Sequence, residues 1–135
     1  MIKQFAHLCI HTNNLEETEK FYCDLLGFSK KFDFIKEGSL FGIYIDLGNG
    51  NFLEFFHSKE KMNDGPIQHF CFEVENLDLT MEKLKKAGLE VTEKKFGTDK
   101  SWQFWITDPN GIPIEIQQYT EESSQFTGEN CSVDW

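Results

Sequence analysis

Polar or small side chains alternate with apolar ones along residues 7–11, within a strand predicted over residues 4–11, and the same pattern returns along residues 69–74. A period of two is typical of a β-strand that turns one face to a core. The alternation puts one histidine-bearing face on each strand, formed by His7, Cys9 and His11 in the first and by His69, Cys71 and Glu73 in the second. We expect the opposite, apolar faces to pack against helices.

The first strand is followed by the pattern of a helix and three further strands. Apolar residues recur at helical spacing over residues 15–26, Asn14 and Glu17 predict a capping box, and Gly27 is a natural C-terminal stop. Strands are predicted over residues 28–35, 40–47 and 51–57, with turns at residues 37–39 and 48–50. The predicted unit is therefore strand, helix, strand, strand, strand.

The second half repeats this order. A strand over residues 67–74 leads to a cap region at 75–78, a helix ending at Ala87, a stop at Gly88, and strands near 89–95, 102–107 and 112–119. His69 follows His7 by 62 positions, and Glu115 follows Glu54 by 61. Offsets that recur in this way predict two copies of one unit.

The rest of the chain divides around these two units. Residues 58–66 are polar and end in Gly65-Pro66, so we expect a linker between module one, residues 1–57, and module two, residues 67–119. Residues 120–135 form a polar tail that we expect to lie over the surface or to be disordered. Pro113 lacks a backbone N–H and predicts an edge strand or a bulge at its position.

Composition narrows the class of protein. A chain of 135 residues with 39% hydrophobic residues predicts a domain with a real core. A formal net charge of −10 disfavours nucleic acid and anionic membrane surfaces as partners, because both would repel the protein. The four cysteines show no CxxC spacing, the N-terminus lacks the apolar run of a signal peptide, and no apolar stretch is long enough to cross a bilayer. We expect a cytoplasmic protein with reduced thiols.

Two imidazoles and two carboxylates at matched places suggest a metal site. A single strand histidine or glutamate is usually structural, but His7, Glu54, His69 and Glu115 occur at repeated offsets. Imidazole nitrogen and carboxylate oxygen suit a divalent ion such as Zn, Ni or Co. We interpret the cysteines on the histidine faces as small buried core residues. His11 and Glu73 lie further along the histidine faces. They either touch substrate or form a solvated pair at the rim of the site.

The chain resembles the vicinal oxygen chelate superfamily, and within it the glyoxalase I-like branch, over about residues 2–119. The resemblance is carried by Ala6-His7-Leu8, Leu25-Leu26-Gly27-Phe28, Phe52-Leu53-Glu54, Gln68-His69-Phe70 and Asp108-Pro109-Asn110-Gly111 followed by Ile114-Glu115. It implies an α+β fold of two tandem βαβββ modules whose curled mixed sheets surround a metal-binding cup. It also implies that the metal ligands are His7, Glu54, His69 and Glu115.

By this resemblance we expect a metal-dependent isomerase or lyase, similar to lactoylglutathione lyase, that acts on a small α-hydroxycarbonyl or hemithioacetal. One divalent ion per site, nickel or cobalt with zinc as the alternative, would hold both oxygens and stabilise a metal-bound enediolate. Glu115 would carry the proton between carbons, and Glu54 would act as a ligand or second base. By the resemblance, modules pair either within a chain or across a dimer, and the linker permits both arrangements. We expect a homodimer that builds each site from His7 and Glu54 of one chain and His69 and Glu115 of the other.

The substrate is less closely defined. Where bacterial glyoxalase I holds glutathione carboxylates, this chain has His11 in place of a basic residue and Ser58 in place of an amide, while Lys100 and Trp102 remain as candidate substrate contacts. A different thiol or another enolisable compound is therefore an open alternative. Two other functions also fit the fold: a metal-dependent ring-cleaving dioxygenase, and a metal-free small-molecule binding or resistance protein.

Overall fold

The computed structural model describes residues 5–59, 67 and 69–131, which form two compact units, residues 1–66 and residues 67–135. Each unit contains one four-stranded mixed sheet covered by a helix. The expected α+β fold with two tandem βαβββ modules is confirmed. Most of the expected linker, residues 60–66, lies outside the described residues. So do Gln4, in the strand predicted over residues 4–11, and Gln68, in the strand predicted over residues 67–74.

The first unit contains β1 (His7–Thr12), α1 (Leu15–Glu19), a π-helix (Lys20–Leu25), β2 (Ser29–Lys36), β3 (Ser39–Gly48) and β4 (Asn51–His57). The predicted capping box is present, because the Asn14 Oδ1 accepts the Glu17 N–H at 3.0 Å and the Asn14 Nδ2 donates to the Glu17 carboxylate at 3.2 Å. Gly27 ends the helix with a φ of 81°. These boundaries follow from local sequence signals.

The helix of the first unit widens halfway along its length, which the sequence did not predict. The Leu26 N–H donates to the Phe21 carbonyl at 3.0 Å, a five-residue step. This wider turn accommodates two consecutive buried aromatic residues, Phe21 and Tyr22, whose ring centroids are 5.1 Å apart. Tyr22 in turn packs on Phe55 of β4 at 5.0 Å. The widened segment therefore brings both rings into the core under the sheet.

The sheet of the first unit has the order β1-β4-β3-β2. β1 runs parallel to β4, whereas β3 is antiparallel to both β4 and β2. Side chains on the helix-facing side are buried, as shown by Ile10, Ile43, Ile45, Leu53 and Phe55. The alternate residues of β1 and β4 turn to the other face, so the predicted strand parity holds here.

The second unit contains β5 (Phe70–Glu73), α2 (Leu77–Lys86), β6 (Lys95–Phe96), β7 (Trp102–Thr107), β8 (Pro113–Gln118) and α3 (Ser124–Thr127). Its sheet has the order β5-β8-β7-β6, with β5 parallel to β8, which repeats the topology of the first unit. Asn76 caps α2 by accepting the Leu79 N–H at 2.9 Å. Leu77, Leu84, Phe104, Ile106, Ile114 and Ile116 form its buried core.

The strand predicted over residues 89–95 is mostly absent, and only Lys95–Phe96 pairs with β7. The reason lies at Thr92. Its N–H donates to the Trp105 carbonyl at 3.0 Å, but the Trp105 N–H donates to the Thr92 hydroxyl at 2.9 Å instead of to a backbone carbonyl. A side-chain acceptor in place of the carbonyl interrupts the ladder.

The edge position predicted for Pro113 is wrong, because β8 lies between β5 and β7. Pro113 is the first residue of β8, and pairing with β5 begins only at Ile114 opposite Phe70. A proline at a strand's first residue costs no ladder hydrogen bond on that side. The described part of the tail, residues 120–131, contains α3, and residues 132–135 lie outside the described part of the chain.

In the described part of the chain, helices are too short and too polar to cross a membrane.

Candidate functional site

His7 and Glu54 come together in the first unit. They lie on the neighbouring parallel strands β1 and β4, and the His7 Nε2 is 4.0 Å from the Glu54 Oε1. The Glu54 side chain is 16% exposed and that of His7 is 44% exposed. The pair therefore presents one imidazole nitrogen and one well-packed carboxylate on the sheet face away from the helix.

His69 and Glu115 come together in the same way in the second unit. His69 directly precedes β5 instead of lying within it, and its Nε2 is 3.7 Å from the Glu115 Oε2 on β8. The exposed fractions of the two side chains, 43% and 14%, nearly equal those of the first pair. Each predicted pairing of histidine with glutamate is thus present within its own unit.

An aromatic ring lies beside each histidine, and sequence reasoning missed both rings. Tyr44 is the cross-strand partner of Glu54 and contacts the His7 ring edge-on at 6.0 Å. Trp105 is the cross-strand partner of Glu115 and contacts the His69 ring edge-on at 4.8 Å. Trp105 follows Tyr44 by 61 positions, the offset that relates the glutamates, so the repeat contained a signal that could have found them.

Cys9 and Cys71 are the cross-strand partners of Glu54 and Glu115 on the other side. Our interpretation of these cysteines as buried core residues is wrong, because both are exposed on the histidine faces. Partial desolvation by surrounding atoms, reinforced by Glu54, raises the pKa of the Cys9 thiol to about 11. Desolvation, reinforced by Glu115, raises the pKa of the Cys71 thiol to about 12. Both thiols are therefore protonated at neutral pH.

Burial also acts on Glu115. Desolvation is the largest cause that raises its pKa, and the charge of Asp99 adds to it, while His69 and a hydrogen bond with Cys71 act in the opposite direction. A carboxylate with a raised pKa holds a proton more readily than an exposed one. This property suits a group that must accept and return a proton.

The four expected substrate residues are placed differently from one another. His11 is exposed opposite Phe56, and Glu73 is exposed opposite Gln117, so both lie on the histidine faces of their sheets. The Lys100 Nζ forms an ion pair with Glu129 at 2.7 Å.

Trp102 lies on the other face of its sheet. It pairs with Gln118, whose Oε1 accepts the N–H of Leu77 at the start of α2 at 2.7 Å. The Lys94 Nζ lies 4.6 Å above the Trp102 ring. Trp102 therefore faces the helix side, while Trp105 is the tryptophan on the face of Glu115.

The two histidine faces differ in chemistry. In the first unit, Tyr44 stacks on Phe32 at 4.6 Å and on Phe52 at 5.0 Å, and Phe34 contacts Phe56 at 4.6 Å. We call Phe32, Phe34, Tyr44, Phe52 and Phe56 the aromatic face. In the second unit, the positions equivalent to Phe52 and Phe56 hold Pro113 and Gln117. The first face therefore suits a planar or apolar group, and the second offers amide and carboxylate groups.

The donor types suit a divalent ion. The nitrogen and oxygen atoms are 4.0 Å apart in the first pair and 3.7 Å apart in the second. An ion about 2 Å from both atoms of a pair would lie almost on the line between them, so the side chains must turn closer together to bind it as neighbouring ligands. Across residues 5–59, 67 and 69–131, no three His, Cys, Asp or Glu side chains form a group that could hold a metal ion. Each pair thus offers two ligands of a type that Zn, Ni and Co accept.

Comparison with known proteins gives consistent results. The family model of the Glyoxalase/Bleomycin resistance protein/Dioxygenase superfamily matches residues 4–116. YaeR of Escherichia coli strain K12, itself uncharacterized, is 26% identical over 129 residues, covering 87% of this chain and 97% of YaeR.

Solved structures share the fold at low identity. TnmS3, an antibiotic binding protein from Streptomyces sp. CB03234, has a TM-score of 0.74 and 19% identity, covering 88% of this chain and 98% of TnmS3. Lactoylglutathione lyase from Agrobacterium tumefaciens has a TM-score of 0.67 and 19% identity, covering 87% and 94% of the two chains. At such identities the similarity establishes the fold alone.

Proposed function

Because the chain belongs to the Glyoxalase/Bleomycin resistance protein/Dioxygenase superfamily, we propose that it is a metal-dependent isomerase or lyase of the glyoxalase I type. Its substrate is a small α-hydroxycarbonyl or a hemithioacetal. The observation that carries the proposal is the repeated pairing of one imidazole with one carboxylate, at 4.0 Å in the first unit and 3.7 Å in the second. The pairing is kept in both units although neighbouring positions differ, since Pro113 and Gln117 stand where the first unit has Phe52 and Phe56.

The proposed ligands are His7, Glu54, His69 and Glu115. A divalent ion held by them, nickel or cobalt with zinc as the alternative, would supply the Lewis acidity that makes the C–H between two substrate oxygens acidic. Glu115 takes this proton on its carboxylate and returns it to the neighbouring carbon. Its low exposure supports this role, and Glu54 serves as a ligand or as the second base.

The proposed assembly is a homodimer. Each histidine and glutamate pair supplies two ligands, and a four-ligand site needs both pairs. In our proposal His7 and Glu54 of one chain combine with His69 and Glu115 of its partner, so that the dimer contains two such sites. The proposed compartment is the cytoplasm, which is compatible with four free cysteines.

The substrate contacts in this proposal come from the faces that carry the pairs. His11 and Glu73 lie on these faces, and Trp105 takes the place that the sequence suggested for Trp102. Lys100 retains a contact with an anionic substrate only if its ion pair with Glu129 opens. The net charge of −10 would repel an anionic substrate, and Lys100 is already paired. Both facts favour a thiol compound that carries fewer negative charges than glutathione.

The aromatic face supports a second candidate function. Five aromatic side chains on the sheet face that carries His7 offer stacking surface for a planar ligand, and an antibiotic binding protein has the same fold. In this alternative the protein binds a small aromatic molecule without a metal and performs no reaction. Metal content separates the two functions, since only the first requires an ion.

The test measures thioester formation from methylglyoxal hemithioacetals made with several cellular thiols. Protein is stripped with chelator and reloaded with Ni²⁺, Co²⁺ or Zn²⁺, and the Glu115→Gln and Glu54→Gln variants are measured beside it. We expect turnover that requires metal and falls by at least about a hundredfold in the Glu115→Gln variant, since a general base contributes roughly that much.

The Glu82→Gln variant is the control, because Glu82 is an exposed residue of α2 that pairs with Lys86 on the same helix. Its turnover should equal that of the natural protein. Metal-loaded protein that turns over none of these hemithioacetals would exclude the glyoxalase assignment. Protein that takes up no metal but binds aromatic ligands would establish the second candidate instead.

A further inference from the structure

The histidine faces of the two units differ at their ends. In the first unit, His11 of β1 lies opposite Phe56 of β4. At the equivalent positions of the second unit, Glu73 of β5 lies opposite Gln117 of β8. Because one copy of the fold accepts an imidazole and a phenyl ring here, the fold itself does not require the carboxylate and the amide of the other copy.

The Gln117 side chain is held in one position by Asp99. Gln117 is only 6% exposed, and its Nε2 donates to the Asp99 Oδ2 at 2.8 Å. The Gln125 Nε2 of α3 donates to the same oxygen at 2.7 Å, and the Ser101 N–H donates to the Asp99 Oδ1 at 3.2 Å. These bonds fix the carboxylate, and the carboxylate fixes the amide of Gln117.

Asp99 also decides which atom of the Gln117 amide faces the candidate site. A carboxylate only accepts hydrogen bonds, so the amide nitrogen must turn towards Asp99. The carbonyl oxygen consequently points away from Asp99 and lies 3.8 Å from the Sγ of Cys71, an exposed residue on the histidine face. A carbonyl oxygen has two lone pairs and can accept a further hydrogen bond there. The face therefore presents a fixed acceptor.

Glu73 adds a negative charge beside this acceptor. It is the cross-strand partner of Gln117, on a neighbouring strand that is about 4.8 Å away. Glu73 is exposed, and its carboxylate makes no hydrogen bond or ion pair with the residues that the structure describes. The bonds that Asp99 accepts come from neutral amide groups, so they leave its charge in place as well.

The pKa of Tyr119 reflects the negative charge at this end of the face. Tyr119 directly follows β8, and its ring packs edge-on against Phe126 of α3 at 5.3 Å. Burial is the largest cause that raises its pKa, and acidic groups that include Glu73 and Asp99 add to the effect. The same potential that disfavours a phenolate favours a bound cation.

We propose that Glu73 and Gln117 determine specificity by binding a protonated amine of the substrate. The inference rests on the proposed function and names the substrate class: a hemithioacetal or α-hydroxycarbonyl that carries an ammonium group. This group donates to the Glu73 carboxylate and to the Gln117 carbonyl, and hydrogen bonds between charged partners are the stronger ones. Gln117 lies two residues after Glu115, about 7 Å along β8, which a short aliphatic chain spans.

The experiment compares two thiols of the same shape as hemithioacetals of methylglyoxal. Dimethylaminoethanethiol is protonated at neutral pH, whereas isopentanethiol has a CH group in place of the N–H and carries no charge. The tertiary amine is used because a primary amine beside a thiol would close a ring with the aldehyde. With metal-loaded protein we expect kcat/KM to be at least about tenfold higher for the cationic substrate, as for one hydrogen bond to a charged group.

The variants test which residues cause this preference. Glu73→Gln removes the charge, and Gln117→Met removes the carbonyl but keeps the length of the side chain. Each should lower the ratio of the two kcat/KM values several-fold. Glu82→Gln is the matched control, because it changes the net charge by the same amount on α2, where Glu82 pairs with Lys86. The ratio separates specificity from a general loss of catalysis, since both substrates have the same reacting atoms.

A second measurement uses the metal-free, full-length chain and does not depend on turnover. Each thiol is titrated into the ¹⁵N-labelled protein, and the side-chain amide signals of Gln117 are followed by NMR. Their absence from the spectrum of Gln117→Met assigns them. We expect these signals to shift with dimethylaminoethanethiol and to remain in place with isopentanethiol.

Equal kcat/KM values for the two hemithioacetals would overturn the inference. So would a ratio that neither Glu73→Gln nor Gln117→Met lowers, or one that Glu82→Gln lowers equally. If Gln117→Met does not fold, Glu73→Gln decides, because Glu73 is exposed. If metal-loaded protein turns over no hemithioacetal, the proposed function fails by itself, and the NMR titration then decides on the amine site. Gln117 signals that do not respond to the amine would refute it.

Discussion

The indole of Trp105 contacts the imidazole of His69 edge-on, with ring centroids 4.8 Å apart, and the same tryptophan is the cross-strand partner of Glu115. Trp105 thus contacts His69 and lies opposite Glu115, the two members of the pair in the second unit. Tyr44 has the same relationship to His7 and Glu54 in the first unit, at a larger ring separation of 6.0 Å. The rings restrict where the imidazoles can turn.

Replacing Trp105 should weaken metal binding. In the Trp105→Ala variant the His69 ring loses its edge contact and gains rotational freedom, so we expect Co²⁺ affinity to fall about tenfold, as for other partners that orient a metal ligand. Trp105→Phe keeps a ring and should lose less. Trp102→Ala is the matched control, because Trp102 lies on the opposite face of the same strand. Equal losses in both alanine variants would show that the effect does not depend on His69.

Glu115 should destabilise the metal-free protein as the pH rises. Burial raises its pKa in the folded state, so the folded protein binds this proton more tightly than the unfolded chain does. The associated stability is present below the unfolded pKa of about 4.3 and is lost as the pH rises through the folded pKa. At neutral pH the Glu115→Gln variant should therefore have a higher unfolding free energy than the natural protein.

The measurement for Glu115 is urea unfolding of the metal-free proteins between pH 4 and pH 7. The difference in unfolding free energy between Glu115→Gln and the natural protein should grow over this interval in favour of the variant. Glu82→Gln should show no such trend, since Glu82 is an exposed partner of Lys86. A difference that shrinks with rising pH would contradict the burial of the Glu115 carboxylate.

The thiols of Cys9 and Cys71 should react slowly even though both residues are exposed. The thiolate is the reactive form, and pKa values of about 11 and about 12 leave little of it at pH 8. We expect iodoacetamide to modify these thiols on the order of a hundredfold to a thousandfold more slowly than a free cysteine with a pKa of about 8.5. Mass spectrometry of timed digests measures each site separately. Modification at the rate of free cysteine would contradict the raised pKa values.

Asn76 should stabilise the second unit through its helix cap. Its Oδ1 accepts the Leu79 N–H at 2.9 Å, and loss of such a cap typically costs about 1 kcal/mol. The Asn76→Ala variant should therefore lower the unfolding free energy by about this amount, as measured by urea unfolding. Asn76→Ser retains a capping oxygen and should lose less. Equal destabilisation by the two changes would show that the cap hydrogen bond is not the cause.

Local signals in the chain predicted much of the architecture. The alternation around Cys9 and Cys71, the cap at Asn14, the cap region at residues 75–78 and the repeated offsets indicated both units and their topology before any contact was known. The predicted strands over residues 51–57 and 102–107 agree with the structure at both ends. Such signals are readable because periodicity, caps and turns act between residues a few positions apart.

Local signals failed where a neighbour on another strand decides the outcome. The strand predicted over residues 89–95 is interrupted because the Thr92 hydroxyl replaces a carbonyl as the acceptor for Trp105. An interior strand tolerates Pro113 because pairing with β5 starts one residue later, at Ile114, so no hydrogen bond to β5 is lost. The exposure of Cys9 and Cys71 follows from the face on which they lie, whereas their small apolar character suggested burial.

The sequence by itself determined the two βαβββ units and the symmetric placement of His7, Glu54, His69 and Glu115, since repetition and periodicity are properties of the chain alone. Only the tertiary structure decided which residues surround each pair. Trp105 against His69, and Asp99 between Gln117 and Gln125, are contacts between segments separated by many residues. Such contacts depend on strand order and register, which are set by packing of the whole unit and leave no pattern in the local sequence.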